Sequence, residues 1–227
     1  MNPRVLEELE LGIRRVVALQ LWQLGAIRVN LAEPFRLASG NYSPIYINCR
    51  QLISAPAFAD LFAAGARIIC GRRAVRFDVI AGGETAGIPF AAFLARSFGC
   101  PMAYVRKEAK SHGIASRIEG MMEAGSRVLL VEDLITDAGS KLSFIDAVSE
   151  SGSTVENVLV AFDRLQGGRE ALGKLGVALH AITDIDVALA VAQDSELLAS
   201  EALGEIRQYL DDAKAWHAAR GLAYRQT

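Results

Sequence analysis

From residue 77 onward, five short and almost wholly apolar runs punctuate the chain, and they constrain its fold more than any other feature. FDVIAG (77–82), PMAYVR (101–106), SRVLLVED (126–133), TVENVLVAFDR (154–164) and VALHAIT (177–183) read as strands. GIPFAAFLARSFG, SKLSFIDAVSES and GREALGKLG, which lie between them, carry helical spacing. A strand that is apolar on both faces must be covered on both faces. Alternation with helices makes that a central parallel sheet flanked by helices, an α/β fold. Upstream, residues about 3 to 24 and about 56 to 73 have helical periodicity. Between these helices, PFRLASG and PIYINC look like short strands flanking the turn SGNYSP. The tail from about 184 to 220 again reads as helix. Neither a repeat nor a linker interrupts the chain, so residues 1–227 are expected to form a single domain. Its parts are an N-terminal segment over about 1–55, an α/β core over about 56–183 and C-terminal helices over about 184–227.

Composition narrows the function classes. The net charge of −2 lacks the basic excess that would suggest nucleic-acid binding. The apolar runs are far shorter than the roughly 20 residues of a spanning helix, so no membrane partner is expected. Cys49, Cys70 and Cys100 form no CxxC pair, and the three histidines lack metal-ligand spacing. Reduced thiols and an N-terminus without a signal-peptide core point to the cytoplasm.

In open parallel sheets ligands gather at the carboxyl ends of the strands. There VLLV runs into Glu132 and Asp133, then Leu134 and Ile135, then the small-residue turn Thr136-Asp137-Ala138-Gly139-Ser140 before a helix. Outward-facing N–H groups at a helix N-terminus make a phosphate cradle, and two carboxylates beside it suit vicinal hydroxyls. Together they fit a sugar phosphate, although these residues alone equally fit a strand–turn–helix with an acidic cap. Neither a Walker loop nor GxGxxG is present. Between two strands lies RKEAKSHGIASRIEG, a long connection bearing Arg106, Lys107, Lys110, His112 and Arg117. It is either a solvated charged loop or a mobile basic lid for an anionic leaving group. Asp163-Arg164 closes the next strand at the same sheet edge, where an arginine can pair with a carboxylate.

VLLVEDLITDAGS resembles the phosphoribosyl-pyrophosphate signature of type I phosphoribosyltransferases. RKEAKSHG resembles the mobile catalytic loop of the orotate phosphoribosyltransferases in particular. FRLASGNYSPIYIN resembles the N-terminal hood of that family, and GGETAGIPFA its loop near the pyrophosphate. The resemblance implies a type I phosphoribosyltransferase fold with a small N-terminal hood. The activity implied is transfer of phosphoribosyl from phosphoribosyl pyrophosphate to orotate, giving orotidine 5-phosphate and pyrophosphate in pyrimidine biosynthesis. It implies Lys107, Lys110 and His112 as catalytic residues, with Arg106 also on the pyrophosphate. Glu132 and Asp133 would hold the ribose, and the run Leu134, Ile135, Thr136, Asp137, Ala138, Gly139 and Ser140 would form the rest of the phosphoribosyl-pyrophosphate site. Thr136, Arg164 and Tyr46 would contact orotate. Mg²⁺ is implied as cofactor, carried by substrate and water with no side chain assigned to it. A homodimer sharing the basic loop is implied as well. The chain departs from the family at Ala38 and at Thr85-Ala86, where some members carry lysine, and at Ala138, usually glycine. Alanine disfavours positive φ, so an intact cradle is expected to need a right-handed backbone at residue 138. Two rivals remain: a phosphoribosyltransferase for another base, and a non-catalytic regulator that binds phosphoribosyl pyrophosphate.

Overall fold

Asn2 opens the first helix, its side chain accepting a hydrogen bond from the Arg4 N–H at 3.0 Å, with Pro3 in the first helical position. The computed structural model describes residues 2–37, 39–108 and 116–225. Helix α1 (Pro3–Gln23) buries Val17, Ala18 and Leu21, a helically spaced stripe. Two antiparallel pairs follow. Strand β1 (Ile27–Val29) pairs with β4 (Ile45–Ile47), and β2 (Phe35–Arg36) with β3 (Tyr42–Ser43). PIYINC is thus shorter as a strand than its sequence suggests, because Cys49–Ser54 turns into a 3₁₀ helix.

The core alternates as the apolar runs require: α2 (Phe58–Arg72), β5 (Val79–Gly83), α3 (Gly87–Phe98), β6 (Met102–Val105), β7 (Ile118–Gly120), β8 (Arg127–Ile135), α4 (Gly139–Glu150), β9 (Thr154–Asp163), α5 (Gly168–Gly173) and β10 (Ala178–Asp184). The sheet order is β10-β9-β8-β5-β6-β7. All neighbours are parallel except β6 and β7. Strand β7 corrects the expectation of an open connection as far as Gly120: Ile118 packs on the core and the end of the basic segment returns as an antiparallel edge strand. The tail is helical, as expected, and divides into three helices. It forms α6 (Ile185–Asp194), α7 (Ser200–Asp211) and α8 (Ala213–Ala219), with the Asp212 side chain accepting from the Ala215 N–H at 2.8 Å to start the last.

Side chains alternate across the central strands. Leu129 and Val131 join the core beneath α1, α2, α3 and α6, whereas Val128 and Leu130 join the core beneath α4 and α5. Continued two residues further, that alternation sends Glu132 and Asp133 to opposite faces at the open end of β8.

Candidate active site at the carboxyl end of the sheet

A cleft of about 410 Å³ lies at that end. Tyr46 and Arg50 line it from the hood side, Glu84 and Ala86 from the β5–α3 turn, and Lys107 from the segment after β6. Glu132, Asp133, Leu134, Ser140, Lys141 and Phe144 form its floor.

Glu132 points toward α4 and is only 4% exposed. Lys141 Nζ lies 3.5 Å from its Oε2. Its Oε1 has no hydrogen-bond partner among the described residues. The carboxyl is packed against bare backbone. A Cβ at Gly83 would sit 1.8 Å from Oε1, and one at Gly87 would sit 2.4 Å from the Val131 carbonyl, so both positions require glycine. Burial pushes the Glu132 carboxyl up to about 7 against the pull of Lys141, and the charge of Asp133 adds to the rise. Asp133 faces the other way. Its Oδ1 accepts from the Leu134 N–H at 2.9 Å and its Oδ2 lies 3.9 Å from Arg50 Nε. Burial raises its pKa too, with Lys141 and Arg50 opposing.

The turn that follows contradicts one expectation. Ala138 sits at φ 72°, ψ −1°, in the left-handed region, as N-cap of α4. The loop keeps the backbone that glycine would take, because β8 pairing on one side and α4 on the other fix its ends, while the alanine methyl is buried in the core under α4. Asp137 Oδ1 accepts from the Gly139 N–H at 3.2 Å, closing a local turn. Ile135 is fully buried in that same core, so its contribution to a ligand is confined to backbone. Thr136 is half-buried and Asp137 exposed.

The basic residues separate. The Lys107 N–H donates to Glu84 Oε2 at 2.8 Å, and Lys107 lines the cleft. Arg106 does not line it. Its Nη1 lies 3.7 Å from Glu119 and its backbone N–H donates to the Arg117 carbonyl at 2.7 Å. Arg117 donates to the Arg106 carbonyl and to Ser143 Oγ. Lys110, His112 and Ala38 lie outside the described residues.

Tyr46, 40% exposed, stands in the cleft tilted against Phe35 at 5.6 Å. Arg164 is buried and does not line the cleft: its backbone N–H donates to the Ile135 carbonyl, Tyr209 takes a hydrogen bond from its guanidinium, and Nε and Nη2 have no partner among the described residues. Asp163 does not pair with it, accepting instead from the Leu165 N–H at 2.8 Å and pairing with Arg169 at 3.3 Å. Burial lowers the Arg164 pKa, with Tyr209 pulling the other way. Burial pushes the Cys49 thiol up, with the charge of Asp133 adding to the rise and Arg164 opposing it.

Sequence reasoning missed Arg50, Glu84 and Lys141. Only Lys141 carried a signal, a cation in the first turn of a helix, where the macrodipole disfavours one.

A mostly parallel sheet with paired acids and a small-residue turn at the end of a central strand defines a phosphoribosyltransferase, and the phosphoribosyl transferase domain family matches residues 51–174. The chain is 46% identical over 211 residues to the orotate phosphoribosyltransferase of Ruegeria sp. (strain TM1040), with 91% of this chain and 93% of that protein covered. The chain belongs to the orotate phosphoribosyltransferase family. Among solved structures it resembles Leishmania donovani UMP synthase, with TM-score 0.76 and 30% identity over 87% of this chain, and it spans 42% of that longer chain. It also resembles Mycobacterium tuberculosis orotate phosphoribosyltransferase in complex with phosphoribosyl pyrophosphate, with TM-score 0.64 and 25% identity over 78% of this chain and 98% of that one. Among the described residues, no helix is long and apolar enough to cross a membrane.

Proposed function

We infer that the chain transfers the phosphoribosyl group of phosphoribosyl pyrophosphate to orotate, releasing pyrophosphate and orotidine 5-phosphate, as a cytoplasmic step of pyrimidine biosynthesis. One observation carries this: two carboxylates, a helix N-terminus and a lysine share one cleft. The names of the relatives agree with it.

In the reaction the bond from ribose C1 to the pyrophosphate oxygen breaks and a bond to orotate nitrogen forms, through an oxocarbenium-like state, while that nitrogen gives up its proton to solvent. A side-chain nucleophile is not required, because positioning and electrostatics supply the rate. Asp133 and Glu132 accept from the ribose hydroxyls. Thr136 to Ser140 hold the 5-phosphate at the head of α4, with Leu134 and Ile135 setting the turn. Lys107, together with Lys110 and His112, neutralises the departing pyrophosphate. Arg106, turned toward Glu119 here, would have to swing round to join them. Tyr46 and Thr136 flank the base, and the orotate carboxylate supplies an acceptor for the unpartnered Nε and Nη2 of Arg164.

Among the described residues, no group of three or more His, Cys, Asp or Glu could hold a metal ion by itself. The three cleft carboxylates are already engaged by Lys141, by backbone N–H groups and by Arg50. Mg²⁺, a hard cation that keeps its waters, therefore fits here as a passenger on substrate oxygens. When bound it offsets charge on the leaving pyrophosphate. A homodimer in which each copy lends its basic loop to the other completes the proposal.

The test is orotate consumption with phosphoribosyl pyrophosphate and Mg²⁺, run beside uracil and hypoxanthine. Turnover of orotate alone is expected. Turnover of another base would reassign the substrate, and binding of phosphoribosyl pyrophosphate without any turnover would make the chain a regulator.

A further inference from the structure

We propose that Lys141 is a positioning residue for the ribose site: from the floor of the cleft its ammonium holds Glu132 as an acceptor on the α4 side of β8. This rests on the cleft being the phosphoribosyl-pyrophosphate site.

The placement of Lys141 is costly unless something offsets it. It is the third residue of α4, where the helix dipole opposes a cation. Its side chain is only 11% exposed, so a long, rotamer-rich chain is immobilised and partly desolvated. Helical side chains lean toward the N-terminus, and Lys141 reaches back along α4 to the end of β8. There Nζ lies 3.5 Å from Glu132 Oε2 and donates to Ser140 Oγ at 3.3 Å.

Glu132 depends on that contact. Its Oε1 is packed against Gly83 and Gly87 with no donor among the described residues. The other charged groups around it are Asp133 from β8, Glu84 from the β5–α3 turn and Lys107 from beyond β6, with Arg50 lying nearer Asp133. Two of those four are acids, and the Lys107 backbone is already committed to Glu84. Without the ammonium of Lys141 the buried carboxyl would hold a proton more tightly and be the anion less often. A protonated carboxyl offers the ribose diol an O–H in place of an anionic acceptor, so the site would lose a strong charge-assisted bond. A lysine two turns away on the surface would not have this effect, because solvent would screen it.

The experiment is calorimetric titration of Mg²⁺–phosphoribosyl pyrophosphate into the intact protein at pH 7 and pH 9. Wild-type protein that fails to bind would refute the site assignment itself, whatever the variants do. If wild type binds, Lys141→Met should weaken affinity roughly tenfold at pH 7, the scale of one charge-assisted hydrogen bond. Part of that loss should return at pH 9, where higher pH favours the Glu132 carboxylate without help from a neighbouring cation. Lys141→Arg should bind within about threefold of wild type, as expected when the role is charge. The deciding comparison is Glu132→Gln alone against Glu132→Gln with Lys141→Met, which carries no unpaired buried charge and remains usable even if Lys141→Met does not fold. Equal affinities support a role through Glu132 alone. A further loss in the double variant, or Lys141→Met binding like wild type at pH 7, overturns the proposal.

Discussion

Ala138 holds a backbone conformation that costs an L-amino acid about 1–2 kcal/mol, in the middle of the turn between β8 and α4 that is proposed to hold the 5-phosphate. Sequence logic, applied one residue at a time, made a right-handed alanine the natural expectation. It failed because the turn geometry is set by β8 and α4 on either side, and a cost of this size is small against the packing of a whole helix. The methyl is 1% exposed, so part of the cost is offset by burial. Ala138→Gly is therefore expected to stabilise the protein, since release of strain exceeds the lost methyl and the added unfolded-state entropy. The net gain should be up to ~1 kcal/mol, or a rise in Tm of about 2–4 °C for a chain of this size. Urea and thermal unfolding measure it. A decrease in both would mean that the methyl contributes more than the strain costs. The paired acids, by contrast, were legible one residue at a time: Glu132 and Asp133 stand at the strand end because VLLV can only be a buried strand. What their sequence did not give is their opposite facing, which follows from the two-residue period of β8.

At the scale of elements, strands that are apolar on both faces announce themselves and edge strands do not. Strand β7 has three residues, Ile118 to Gly120, and only half-buries its isoleucine. Its pairing with β6 is a tertiary fact with no periodicity long enough to read. Strand β10 illustrates the legible kind. It lies in a near-continuous apolar run, and its His180 is 8% exposed with Nε2 2.8 Å from Asn157 Oδ1. Burial, with the charges of Arg73 and Arg169 nearby, pushes its pKa down to about 4. The unfolded imidazole titrates near 6.5. Between those values the unfolded chain binds a proton that the folded chain refuses, so acidification from pH 6.5 toward pH 4 favours unfolding. The contribution is present above pH 6.5 and is lost as the pH falls, on the order of 2–3 kcal/mol. His180→Gln, which can still bond Asn157, removes the titration. Its unfolding free energy should fall less than that of wild type between pH 7 and pH 5. Parallel urea titrations at the two pH values check it, and equal slopes would show that His180 protonates in the folded state without penalty.

Across the whole molecule, the C-terminal segment is tied to the N-terminal hood, and no local pattern could have shown it. The Tyr42 N–H donates to His217 Nε2 at 2.9 Å, while His217 Nδ1 lies 2.5 Å from the Ala213 carbonyl, which places the ring proton on Nδ1. Asn41 and Arg225 exchange two hydrogen bonds at 2.8 and 2.7 Å, and Arg220 donates to the Leu31 carbonyl at 2.9 Å. Tyr209, Trp216 and Tyr224 pack around the imidazole, which is fully buried. The partners are about 175 residues apart in sequence, and loop closure over that distance is sustained only by several such bonds together. The β2–β3 pair so anchored continues through Pro44 into β4, which carries Tyr46 into the cleft. His217→Ala should therefore act twice. It leaves the buried Tyr42 N–H without its acceptor and opens a cavity, costing about 2–4 kcal/mol in urea unfolding. It also loosens the hood, so KM for orotate should rise several-fold while KM for phosphoribosyl pyrophosphate, whose proposed site is set by β8 and α4, changes little. A parallel rise in both constants would locate the damage in the sheet rather than in the hood, and would separate the C-terminal clamp from the base site it is expected to hold in place.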